Sequence, residues 1–164
     1  MIRFNFIWFI LLLSCRSLVT TFEEIEDAIS YEALSIVPAT FNNSLKVMTW
    51  NIRFGAGRIP FFGDSCGDRV LMTGEETLFY LQEIANYLDT MAIPPDVLLL
   101  QEVDVSSKRS AYIDQMQWLL NETYFNYGSY ASMWNAELIA SDGLGAVNVG
   151  NAILSRWPII DAER

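Results

Sequence analysis

Two polar side chains close apolar runs in this 164-residue sequence. Asn51 lies near the end of the run Val47–Arg53, and Glu102 lies near the end of Asp96–Asp104. A carboxylate at a sheet rim can hold Mg2+ or Mn2+, hard cations that take oxygen ligands and keep several waters. An amide oxygen is a fair neutral co-ligand. Each residue also has a plainer reading, Glu102 as an exposed strand-end acid and Asn51 as a turn former. Lys108 and Arg109 follow closely and could bind a phosphate near a helix start, although cations there oppose the helix dipole. Lys108 reads better as a solvated surface cation, whereas for Arg109 the two readings stand level. Tyr124, Phe125, Tyr127, Tyr130 and Trp134 could stack a base or sugar, but they suit a strand core better. Asp104 could support a neighbouring ligand or open a turn. The chain contains no histidine, so the commonest proton-transfer side chain is missing.

The elements that would position these groups follow from periodicity. Leu45–Ile52 is an apolar and β-branched run with a tryptophan, which suits a central strand. Gly55–Gly67 holds four glycines and Pro60, so it reads as a loop. Thr73 and Glu76 have the spacing of a capping box, and Leu78, Leu81, Ile84, Ala85 and Leu88 recur at helical intervals, which predicts a helix from about Glu75 to Met91. Pro94 and Pro95 force an extended entry into Val97–Val103, a continuous apolar run of strand length. Strand, helix, strand in this order implies a parallel crossover, with Asn51 and Glu102 emerging at one rim. A second helix is expected from Ser110 to about Leu120, its N-terminus close to Glu102 in sequence. Tyr124–Trp134 reads as extended, Trp134–Gly150 as a long loop or hairpin, and Gly150–Ser155 as a further strand.

Composition sets outer limits. A hydrophobic fraction of 52% is ample for a core and argues against disorder. The formal charge of −10 comes without any cluster of basic residues, and proteins that grip nucleic acid normally show a cationic footprint. Residues 1–17 read as a signal peptide: Arg3 precedes the apolar stretch Phe4–Leu13, which is too short to span a bilayer. Leu12–Cys15 is similar to a lipobox, in which Cys15 would be lipidated and tether the chain to a membrane. Cys15–Ser17 offers ordinary cleavage instead, and an uncleaved apolar anchor is the third alternative. All three send the chain out of the cytosol, as a secreted, periplasmic or lipid-anchored protein. With Cys15 removed or lipidated, Cys66 has no partner for an intramolecular disulfide. Asn42–Ser44 and Asn121–Thr123 are glycosylation sequons, meaningful only in a eukaryotic secretory pathway. Residues 18–44, with five acidic and no basic side chains from 22 onward, are expected to be an acidic tether, and residues 45–164 the folded unit. No protein partner is expected.

Trp50–Arg53, Gln101–Asp104 and Gly150–Pro158 together resemble the successive N-terminal motifs of the endonuclease/exonuclease/phosphatase superfamily, the DNase I-like group. The resemblance covers about Leu45 to Arg164. It implies an α/β chain forming the N-terminal half of a four-layered α/β sandwich, with a divalent metal, Mg2+ or Mn2+, in a cleft at the sheet edges. It places Asn51 and Glu102 at the metal, with Arg109 and Asn151 near the cleft as substrate-binding residues. The implied reaction is attack of water on a phosphoester, whether of a lipid head group, a small phosphoester or a nucleic acid. Two departures accompany it. Val149 stands where many relatives carry a tyrosine, and the family's later aspartate-asparagine and aspartate-histidine motifs have no counterpart. The leading expectation is therefore a truncated metal-dependent phosphoester hydrolase, inactive by itself. The alternative is a non-catalytic exported binding module that keeps the fold.

Overall fold

The computed structural model describes residues 18–41 and 43–164. The expected signal peptide, with Cys15, and the sequon residue Asn42 lie outside the described residues. Five strands form one mixed sheet: β1 (Ile29–Glu32), β2 (Val47–Asn51), β3 (Val97–Asp104), β4 (Tyr127–Ile139) and β5 (Gly145–Ser155). Their spatial order is β1-β4-β5-β3-β2, with β2 and β3 parallel and the other neighbours antiparallel. The parallel pair sets Asn51 beside Gln101 in register, so the ends of both strands do reach one rim.

Helix α1 (Gly74–Thr90) starts where its capping box predicts. The Glu76 N–H donates to Thr73 Oγ1 at 3.1 Å, and the Thr73 N–H donates to Glu76 Oε2 at 2.9 Å, satisfying two donors that a helix start otherwise leaves unpaired. Arg69 also donates to the Glu76 carboxylate at 2.8 Å. This bond, and after it the Thr73 N–H, holds the Glu76 carboxyl below its ordinary range. Leu81, Ile84 and Leu88 of α1 share one core with Leu98 and Leu100 of β3, Ala152 and Leu154 of β5, and Met116, Leu119 and Leu120 of the second helix, α2 (Gln115–Glu122). Both helices thus cover the same face of the sheet. On the other face Val47 and Ile153 remain exposed, and Leu99 is half-buried. One helical layer on one sheet is half of the layering of a DNase I-like sandwich.

Two local expectations are corrected and a third is narrowed. The second helix does not start at Ser110: Lys108–Ser110 is a single 3-10 turn, Ala111 and Tyr112 are left-handed, and α2 begins at Gln115. Asp114 draws the start there, its carboxylate accepting from the Gln117 N–H at 2.9 Å. The helix N-terminus therefore lies further along the sequence from Glu102 than expected, at Gln115. The stretch expected to be a tether is folded against the sheet over much of its length. Ile29–Glu32 pairs with β4, and the Asn126 carboxamide clamps Val37, accepting from its N–H at 2.7 Å and donating to its C=O at 2.8 Å. An unpaired edge of β4 is a ready template for such pairing, and it outweighs the polar composition. Of the two alternatives for Trp134–Gly150, the hairpin holds: the segment is the tip of a long β4–β5 hairpin, turned by Ser141–Gly143 with Asp142 and Gly143 left-handed.

Candidate active site at the β2–β3 rim

Glu102 owes its place to a bulge. Leu100 pairs with Ala152 and Val103 with Gly150, so Gln101 and Glu102 together oppose the single residue Asn151. Strict alternation would send Glu102 to the face where Leu98 and Leu100 are buried. The extra residue passes that inward place to Val103, which is fully buried, and turns Glu102 out to the rim. The turn requires a left-handed backbone at Glu102, φ 56°, a conformation that costs a non-glycine residue of order 1–3 kcal/mol. Gly150, across from the bulge, is where a side chain cannot fit: a Cβ there would lie 2.1 Å from the Ala131 carbonyl oxygen.

Asn51 reaches across to this carboxylate. Its Nδ2 donates to Glu102 Oε1 at 2.8 Å, while its Oδ1 accepts from the Arg53 N–H at 2.8 Å. The backbone donor fixes which end of the amide faces Glu102, so Asn51 orients the carboxylate and has one oxygen lone pair already engaged. Arg53 and Phe54 follow with φ 51° and 45°, giving the rim three left-handed non-glycine residues. The Arg53 guanidinium is held by Gly57 O at 2.9 Å, by Ile59 O at 3.1 Å and by the Asp64 carboxylate. Asn51, Arg53, Phe54, Phe61, Gly63, Asp64 and Glu102 line an open cleft of about 500 Å3.

Beneath the cleft lies a closed polar network. Asp104, with no exposed surface, accepts from Arg109 Nε at 2.9 Å, Arg109 Nη2 at 2.8 Å and Ser110 Oγ at 2.8 Å. Arg109 is 7% exposed and its guanidinium sits 3.8 Å from the centre of the Phe54 ring. Its fork binds Asp104 and its flat face lies on Phe54, so its first role in the fold is to join these two residues beneath the cleft. Lys108 is half-buried rather than freely solvated, its Nζ donating to Gly143 O at 3.0 Å. Asn148 Oδ1 accepts from Tyr130 Oη at 2.9 Å and from Ser132 Oγ at 2.7 Å. Burial, and after it the Asp104 charge, pushes the Tyr130 phenol well above its ordinary range, so it stays a donor. Phe125 and Tyr130 are core residues with no exposed surface, not stacking platforms; Trp134 is partly exposed on the hairpin.

Asn51 and Glu102 are thus brought into contact, Asn151 lies opposite their bulge, and Arg109 supports them from within. Asn151 is exposed and borders a separate depression with Gln101 and Arg164, outside the Asn51–Glu102 cleft. The residues that the sequence did not single out are Phe54, Asp64, Ser110 and Gln115. Gln115 carried a usable signal, a polar side chain on the apolar stripe of Met116 and Leu119. The donors at the rim are all oxygen, as a hard cation prefers, but among the described residues no group of three or more His, Cys, Asp or Glu is gathered there or elsewhere. One carboxylate with an oriented amide fits Mg2+ or Mn2+ as part of a site whose other ligands would be water and phosphate oxygens.

A mixed sheet with helices on one face and an oriented carboxylate at the joint end of two parallel strands defines an α/β domain. The chain belongs to the Endonuclease/Exonuclease/phosphatase family, whose model matches residues 48–164. No curated protein or solved structure gives a match to set beside it.

Proposed function

We propose that this chain is the N-terminal portion of an exported, divalent-metal-dependent phosphoester hydrolase. The observation that carries the reading is the Asn51–Glu102 hydrogen bond at 2.8 Å, formed on a strained bulge in a chain of this family. A strained backbone maintained to present one carboxylate beside an open cleft is characteristic of a functional site. In this reading Glu102 holds Mg2+ or Mn2+, and Asn51 fixes the carboxylate's orientation. The bound metal supplies charge stabilisation to the phosphoryl oxygens and the leaving group. The proton acceptor for the attacking water, and any protein ligand beyond Glu102, come from a second layer of the sandwich, with water and phosphate oxygens completing the metal's shell. The exposed Val47 and Ile153 on the sheet's outer face support that reading.

The net charge of −10 and the lack of a basic cluster favour a lipid head group or small phosphoester over nucleic acid. A lipidated Cys15 or a cleaved leader accounts for export. The test is hydrolysis of a simple phosphodiester by protein expressed from the complete reading frame containing this chain, with and without Mg2+ or Mn2+. Metal-dependent turnover abolished by Glu102→Ala supports the reading. A folded protein that binds phosphoester without turning it over makes this a binding module instead.

A further inference from the structure

Gln115 is the first residue of α2, has no exposed surface, and lies beside Met116 and Leu119, which are equally buried. A carboxamide in such a place costs about 1–3 kcal/mol for each end left unpaired. Neither end is unpaired. Gln115 Oε1 accepts from the Asp104 N–H at 3.0 Å, and Gln115 Nε2 donates to the Phe54 C=O at 2.7 Å. Asp104 is two residues past Glu102 and Phe54 three past Asn51. One side chain therefore ties together the two backbones that carry the candidate site.

We propose that Gln115 is a positioning residue that braces the Asn51 and Glu102 segments just past the end of the β2–β3 ladder, a role that deepens the hydrolase reading and rests on it for its functional meaning. Arg109 also joins the two segments, but through the Asp104 side chain and the Phe54 ring. The β2–β3 ladder ends with the Ile52 N–H donating to the Gln101 C=O at 3.1 Å. Beyond it Gln115 bridges the two main chains, and an amide suits the place because it accepts at one end and donates at the other. The opposing surface is shaped around it. Gly55 has φ +66°, and a Cβ there would stand 3.0 Å from Gln115 Nε2, so both the conformation and the space call for glycine. Left-handed residues occupy both the site, at Glu102, and the approach to its Phe54 anchor, at Arg53 and Phe54 itself, where a slack tether would let them relax.

The test compares Gln115→Met, near in size but with neither donor nor acceptor, against Leu120→Ala, a core truncation in the same helix. Each is measured in the protein from the complete reading frame, at a temperature where circular dichroism shows it folded. The first readout needs no metal: hydrogen exchange of the Asn51 side-chain amide, which donates to Glu102, followed by NMR. The second is Mn2+ affinity by electron paramagnetic resonance. Gln115→Met is expected to speed the exchange at least about fivefold, the equivalent of one lost net hydrogen bond. It is also expected to weaken Mn2+ binding by about 10–100-fold, as loss of an outer supporting contact does. Leu120→Ala should change neither. Equal effects of the two variants, or unchanged exchange in Gln115→Met, overturn the proposal. If the protein from the complete reading frame takes up no Mn2+ yet the exchange responds as expected, the metal reading falls and the positioning role stands. Should Gln115→Met not fold, Gln115→Asn carries the same comparison, since its shorter arm reaches only one of the two partners.

Discussion

Arg109 grips the Asp104 carboxylate with Nε and Nη2 at 2.9 and 2.8 Å while its guanidinium face lies 3.8 Å from the centre of the Phe54 ring. An ion pair this deeply buried matters most when one partner is removed, because the other is left as an uncompensated charge. Arg109→Ala is therefore expected to lower the unfolding free energy by about 3–5 kcal/mol, read as a shifted urea midpoint. Arg109→Lys should recover little, since an ammonium cannot make the forked contact or stack. An unchanged midpoint combined with a raised KM would return Arg109 to a substrate-contact role.

Glu102 separates stability from function. Its φ of 56° is one that glycine adopts freely. Glu102→Gly should leave the unfolding free energy unchanged or raise it by up to about 1 kcal/mol. The same change should lower metal-dependent turnover of the complete protein about a hundredfold, as expected when a metal ligand or its support is lost. Thermal unfolding and a phosphodiesterase assay on one preparation check both halves. Loss of stability together with activity would make the residue structural.

Gly150→Ala tests the bulge from the neighbouring strand. The added methyl would meet the Ala131 carbonyl oxygen at 2.1 Å, a backbone atom that cannot swing away. The β4–β5 ladder must then open locally, with a cost of about 1–3 kcal/mol. Chemical shifts of Val103 and Glu102 should move with it. Shifts confined to residues around Ala131 would mean that the bulge holds itself.

Alkaline pH supplies a further check. Burial, with the Asp114 charge and hydrogen bond adding to it, pushes the Tyr31 phenol up to about 12. Burial, with the Asp89 charge second, does the same for Tyr124, to about 12. An unfolded tyrosine ionises near 10. The fold thus favours the neutral phenols, and this contribution is whole below about pH 10 and is lost as the pH rises from about 10 to 12. Tyrosinate absorbance of the native protein should show two groups ionising near 12, one vanishing in Tyr31→Phe and one in Tyr124→Phe. Full ionisation by pH 11 in a folded protein would contradict it.

The parts of this structure legible in the sequence are those fixed by local pattern. Thr73 and Glu76 announce the start of α1, and the Val97–Val103 run announces a strand, because capping and burial act over a few residues. The pairing of Asn51 with Glu102 was legible as far as the parallel crossover brings them to one rim. What local pattern does not contain is the bulge, since the slip at Gln101 and Glu102 is decided by how β5 pairs across from it. The buried ion pair of Arg109 was hidden for a similar reason. Its partners Asp104 and Phe54 meet only once two distant segments have folded together, and a lone arginine carries no mark of burial. The edge strand β1 was hidden by its acidic neighbours, because its stabilisation comes from the free backbone of β4 rather than from its own side chains.

The strand order carries a consequence for synthesis. β3 bears Glu102 and lies between β2, made before it, and β5, whose pairing ends at Ser155. The register of Val103 on Gly150 cannot form until those later residues leave the ribosome, several seconds after Glu102 at about 5–20 residues per second. Until then a nascent chain holds β2 and β3 side by side with an apolar flank open, and the glutamate is free to follow simple alternation. Slowed translation beyond Asp104 would lengthen the window in which this flank can recruit other chains, and fast translation or a holding chaperone would shorten it.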